Sequence, residues 1–363
     1  MSIIIFIIIL LVLVLVHEFG HFFTAKKFGI RVDEFGFGFP PKIFGKKYGE
    51  TEYSLNLLPI GGFVKIFGEN PNEESTSGPD AIRSFVNKPR WQQAIVLFAG
   101  VFANFLLAWV LFSFGFMSGL PMPVSEESQN YNLSDVRLTI ISVTAKSPAF
   151  LAGLKNGDKI VSLASGDHFT SDVEPETVKS FSNLGKEITI GYLRNNGGME
   201  NFVKITPKIN PGGEPMIGIA MSMVGEAKLS FFAAIYEGMK LTLNTGKGMI
   251  LGLYHLIGDA FKGQGSLESL AGPVGIVGMV GDVYQFGFTY LMAFAALISV
   301  NLAIINLLPF PALDGGRLLF LFIEKIKGSR LNPKFANTAN MIGFGILIIL
   351  MIIVTFHDVV KLF

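Results

Sequence analysis

Apolar and polar residues alternate along this chain on a long scale. Four apolar runs reach the length of about 20 residues that a bilayer crossing takes: Ile3 to Ala25, Ala94 to Ser118, Gln285 to Leu313 and Ala336 to Phe356. The second run carries no charge and the third ends at Asp314. The first is broken by His17, Glu18 and His21 before any lysine marks its end. Ionisable groups inside a lipid-spanning helix are costly and usually functional. Between the first two runs, Val32 to Asn70 mixes aromatic, glycine and β-branched residues with turn signals, which predicts short strands and hairpins. That stretch is too apolar for an ordinary solvated loop. A sheet dipping into the membrane edge and a small cytoplasmic β-subdomain both fit it. Pro71 to Pro79 is polar and reads as a surface loop.

The long segment after the second run is patterned differently. Leu138 to Gly166 gives a strand, a Ser-Pro-Ala helix start, a glycine stop and an Asn-Gly-Asp turn into another strand. Lys186 to Pro207 predicts a hairpin around Asn195 to Gly198. The order SPA…AGL…GD resembles a bacterial PDZ domain, a fold that binds extended peptides along a sheet edge. A small α/β domain that binds nothing is the alternative. In Lys228 to Lys262, Phe232, Tyr236, Met239, Leu243 and Ile250 share one helical face, with Glu237, Lys240, Asn244 and Lys247 on another. Such a helix suits the membrane interface; a fifth crossing competes, and the charges weigh against it.

Composition agrees with a membrane protein: 363 residues, half hydrophobic, 35 Phe, 16% charged, and a mean hydropathy of +0.51. A net charge of +1 gives no reason to expect a nucleic-acid partner. With no cysteine, any metal site must be built from histidines and carboxylates. The first run lacks a basic leader and a clear small-residue cleavage site, so it is expected to be a permanent helix rather than a signal peptide. Ten basic residues fall within the 65 positions from Lys26 to Arg90, and five within the 18 from Arg317 to Lys334. Gly119 to Phe288 has thirteen in 170, against sixteen acidic residues. The positive-inside rule then places the first and third loops in the cytoplasm, with the middle segment and both termini outside.

His17-Glu18-Phe19-Gly20-His21 fits the pattern H-E-x-x-H. Residues four apart share a helix face, so two imidazoles can grip one metal ion. Glu18 can face the open coordination position, take a proton from water and hand it to a leaving amine. Zn²⁺ is the usual ion for such a set. His17 lies about 21 Å along the helix from Ile3, hence in the cytoplasmic half of the bilayer. The third run reaches its cytoplasmic end at Asn306 to Arg317, "NLLPFPALDGGR". Asp314 is the only acidic residue between Asp282 and Glu324, and Gly315 and Gly316 follow it. It is the expected third ligand. The alternative is a helix-terminal charge satisfied by Arg317. His168, His255 and His357 are expected to be interfacial or surface residues.

HEFGH, NLLPFPALDGG, the PDZ-like insertion, GPVGI (Gly272 to Ile276) and "LPIGGFVKIFGE" together resemble the site-2 protease family of intramembrane zinc metalloproteases, closest to the bacterial regulator-of-sigma-E type. The resemblance spans almost the whole chain. It implies His17, His21 and Asp314 as ligands of one zinc ion and Glu18 as general base. It further implies that Asn306 holds substrate or stabilises the oxyanion. The GFGF and LPIGG stretches, with Gly61 and Gly62, match a re-entrant β-element that holds substrate as an added strand. Gly61 and Gly62 could also simply make a turn. Two departures stand out: "AGVFANF" has Val101 where many relatives have proline, and one PDZ-like domain fits where some relatives carry two.

The expected fold is a polytopic α-helical membrane protein with four transmembrane helices, a membrane-associated β-element and an inserted PDZ-like domain. Its expected divisions are a first helix at 1–26, the re-entrant β-element at 27–91, a second helix at 92–118, the PDZ-like domain at 136–226, an interfacial segment at 227–284, a third helix at 285–316 and a fourth at 335–358. The expected partners are single-span membrane proteins, such as anti-sigma factors already trimmed outside or leftover signal peptides, besides lipid and a peptide ligand of the PDZ-like domain. The expected location is the bacterial inner membrane. Competing readings are a catalytically silent PDZ-bearing scaffold and an H-E-x-x-H protease whose active site is cytoplasmic.

Overall fold

A computed structural model describes residues 1–126, 128, 131–194, 199–209, 213–262 and 272–361. Among these, four helices are long and apolar enough to cross a membrane: α1 (Ser2–Lys27), α3 (Arg90–Ser118), α8 (Phe288–Leu307) and α10 (Pro333–Lys361). Each buries only a minority of its side chains within the protein. Their exposed faces are aliphatic and aromatic, as lipid contact requires. Between α1 and α3 lie β1 (Val32–Tyr48), β2 (Thr51–Ile66) and the short α2 (Glu73–Ser77).

The chain divides into two compact units. The first comprises Met1–Leu111, Met239–Gly278 and Ala295–Phe363. Its β1 and β2 pair through a register that doubles back. Phe35 lies opposite Val64 on one side and Tyr53 on the other, while Tyr53 also faces Lys46. The paired segments therefore form a small, strongly bulged sheet rather than one long ribbon. Its base is tied into a core of Ala25, Ile30, Val32, Ile66, Phe85, Val96 and Leu97, drawn from α1, both strands and α3. Its far end exposes Phe39, Ile43, Phe44, Leu55, Leu57 and Leu58. Glu50, in the turn between the strands, binds Lys26 at 2.5 Å and also pairs with Arg83. Partial burial works against ionisation of Glu50, but these two cations hold its carboxyl below the ordinary glutamate range.

The same unit holds α9 (Asp314–Lys327), and here the observed elements differ from the pattern-based expectation. The third crossing does not continue through 316: α8 stops at Leu307, and Asp314 opens a new helix after the Pro309–Pro311 turn. Proline supplies no N–H and disfavours helix in the residue before it, so the helix cannot run on. Ala312 takes a left-handed φ of 76°, unusual for a residue with a side chain. Asn340 of α10 holds it, its Oδ1 accepting the Ala312 N–H at 3.2 Å. A Cβ on Gly343 would sit 2.7 Å from the Pro311 side chain, so α10 packs directly on this turn.

The second unit comprises Phe112–Gly238 and Met279–Phe294. Its elements are β3 (Leu120–Pro123), β4 (Leu133–Val143), α4 (Pro148–Leu151), β5 (Lys159–Ser165), β6 (His168–Thr170), α5 (Pro175–Asn183), β7 (Ile188–Leu193), β8 (Glu200–Ile205), β9 (Lys208–Ile209), β10 (Pro215–Met216) and β11 (Ile219–Ala227). The main sheet runs β3-β11-β4-β5-β7-β8, with β6 on β5. Leu138, Ile140, Leu163, Ile188 and Ile190 form its core with Val178 of α5. The expected turn at Asn195 to Gly198 lies outside the described residues, but its flanking strands pair from Ile188↔Ile205 to Leu193↔Glu200. Lys228 to Lys262 forms α6 (Phe231–Phe261), and α7 (Pro273–Phe286) precedes α8.

Candidate metal centre

Residues 17 and 21 stand one turn apart on α1, and both are buried, with 7% and 6% of their surface exposed. His17 Nε2 and His21 Nε2 lie 3.2 Å apart. Asp314 Oδ2 lies 3.0 Å from the first and 3.2 Å from the second. Among the described residues these three are the one group of His, Cys, Asp or Glu whose ligand atoms converge this closely. A tetrahedral ion with bonds of about 2.0–2.1 Å sets its donors about 3.3 Å apart, close to this triangle. Asp314 Oδ2 is buried and receives no hydrogen bond. Three candidate ligand atoms thus converge in a largely buried setting, where an unsatisfied polar group costs several kcal/mol. A cation at their centre removes that penalty, and two imidazoles with one carboxylate match zinc's ligand chemistry.

The helix behind the histidines is cut to fit them. Val96, Gly100 and Asn104 of α3 are spaced four apart and form one stripe against α1. His21 Nδ1 donates to the Val96 carbonyl at 2.8 Å, which leaves Nε2 as the bare, ligating nitrogen. A Cβ on Gly100 would overlap the His21 imidazole, and one on Gly20 would overlap the Ala99 carbonyl. Small residues on both helices therefore let the backbones approach closely. On the other side, Gly315 and Gly316 bring the start of α9 against the carbonyls of Leu307, Leu308 and Phe310.

Glu18 points to another face of α1, toward β2. Gly62 packs here too, its Cβ position 3.3 Å from Leu15 and 4.0 Å from Glu18 Cγ. Gly61 has a φ of 121°, a conformation reserved for glycine, and lies beside Phe39 and Val14. Asn306 is half-buried on the last turn of α8, outside the triad. His168 and His255 are exposed, whereas His357 has its Nε2 enclosed without a hydrogen bond. Gly100 and Asn104 lie within the AGVFANF stretch, but sequence reasoning assigns them no role; that stretch and their four-residue spacing from Val96 are the signals that could have found them.

Three converging candidate ligand atoms near a carboxylate, on helices apolar enough to cross a membrane, fit the class of membrane metalloproteases. The sequence profile of peptidase family M50, the site-2 proteases, matches residues 5–350, and the chain belongs to that family. It is 32% identical over 440 aligned positions to the regulator of sigma-W protease RasP of Bacillus subtilis, covering all of this chain and 99% of that protein. It is 31% identical over 437 positions to the zinc metalloprotease RasP of Geobacillus kaustophilus, covering all of this chain and 98% of the relative. The protein is thus a zinc-dependent intramembrane endopeptidase, with zinc as its cofactor.

Proposed function

We propose that His17, His21 and Asp314 hold the zinc ion, that Glu18 is the general base, and that the substrate is the transmembrane segment of a single-span protein. The convergence of two histidine nitrogens and an unpartnered carboxylate oxygen within 3.2 Å carries this reading. When bound, zinc supplies Lewis acidity and makes hydroxide available near neutral pH. Glu18 takes the proton from water and returns it to the leaving amine. Asn306 is the candidate for steadying the substrate or the developing oxyanion.

A transmembrane helix shields its own peptide bonds, so it must unwind locally, and its freed N–H and C=O groups then need partners. The β1–β2 sheet offers them beside the base. Gly61 and Gly62 let that part of β2 pack closely against α1 and Phe39, which holds the strand beside Glu18, where a substrate strand would add. The exposed apolar end, Phe39 to Phe44 and Leu55 to Leu58, suits immersion in lipid. The β-rich second unit reads as a PDZ-like domain on the extracytoplasmic side of a bacterial inner membrane, where it would meet the trimmed end of a substrate. Since one relative is named for regulating sigma-W, a membrane-bound regulator of a sigma factor is the first substrate to try.

The test is to reconstitute the purified protein in vesicles with a single-span substrate and to map the products by mass. Cleavage inside the apolar span, lost with a zinc chelator and restored by zinc, is the expected result. Cuts confined to water-exposed flanks would favour a cytoplasmic active site, and no cutting at all would overturn the proposed substrate class.

A further inference from the structure

A metal-bound imidazole needs its outer nitrogen fixed as well as its ligating one. For His21 the Val96 carbonyl does this. For His17 the group in place is the Asn104 side chain, whose amide nitrogen lies 3.4 Å from Nδ1. Asn104 is fully buried, and its amide oxygen has no partner. The two ends of an amide are interchangeable by a half-turn, and the surrounding bonds decide between them. With its NH₂ inward, Asn104 donates to Nδ1 and drives the imidazole proton onto Nε2, where it blocks the ligating lone pair. With its oxygen inward, it accepts Nδ1–H and leaves Nε2 bare, while the NH₂ turns to the position the oxygen now holds.

We infer that Asn104 is a positioning residue whose amide oxygen accepts the Nδ1–H of His17 and holds it in the metal-ligating tautomer. The inference rests on the zinc reading of the site. The backbone of Asn104 is anchored separately: Ser299 of α8, also fully buried, donates its hydroxyl to the Asn104 carbonyl at 2.8 Å. The side chain is therefore free of that structural duty. Val96 and Asn104, eight residues apart on one stripe of α3, serve His21 and His17 in turn, so one helix sets the tautomers of both.

Asn104→Leu removes the acceptor at similar volume, while Asn104→Asp keeps an acceptor. Zinc affinity is measured on the full chain in detergent by competition with a chromophoric chelator, and the cobalt-loaded proteins are compared by their visible d–d bands. The expected result is a loss of about 10–100-fold in zinc affinity for N104L, the range typical of outer-shell partners. Its cobalt band should shift, and N104D should restore both readouts to within a few-fold of the parent. An N104L protein that binds zinc as the parent does, or an N104D as weak as N104L, overturns the role. A parent chain that takes up no zinc would sink the zinc reading itself, and this inference with it.

Discussion

Glu18→Gln is expected to leave zinc in place and to slow peptide hydrolysis by about 10²–10⁴-fold, the span typical of losing a general acid–base group. Glutamine keeps the size and an acceptor oxygen, so the packing against β2 at Gly62 survives. What disappears is the ability to take up a proton. Zinc content by elemental analysis and single-turnover cleavage of a transmembrane substrate check the two halves separately. A variant that cuts at the parental rate would remove Glu18 from the mechanism. One that loses zinc would instead make it a structural support of the metal.

Gly100→Ala is expected to weaken zinc binding by more than about 100-fold, beyond the loss of a single outer-shell partner, although no ligand is touched. The new methyl group would occupy space now filled by the His21 ring, with Nε2, Cε1 and Cδ2 all in the way. A buried imidazole held by Val96 on one side cannot yield without leaving the triangle. Gly345→Ala on α10 is the matched control, because its Cβ would meet nothing within 4 Å. Chelator competition on both variants decides the matter. Equal affinities would show that α1 and α3 can separate at no expense to the site.

The four apolar helices are legible from hydropathy alone, because lipid-facing sequence must be apolar over a fixed length. The i,i+4 spacing of His17 and His21 is equally local. Asp314 stands out by position as the lone acid after a long apolar run. What patterning does not show is long-range. The stop at Leu307 follows from two prolines, but the fresh helix at Asp314 depends on Asn340 holding Ala312 in a left-handed turn. Nothing near residue 312 announces Asn340. The doubled pairing of β1 and β2 escapes a period-two reading, since bulges reset the alternation several times. Gly100 and Asn104 matter only because α3 lies against α1, and an uncharged apolar helix gives no sign of which face that is.

Zinc K-edge absorption on the purified, metal-loaded protein tests the centre most directly. A first shell of nitrogen and oxygen only, at about 2.0–2.1 Å, with the outer-shell scattering of two imidazoles, is the predicted result; His17→Ala should reduce it to one imidazole. Metal bound at less than one ion per chain, or a shell without imidazole scattering, would contradict a centre built by His17, His21 and Asp314.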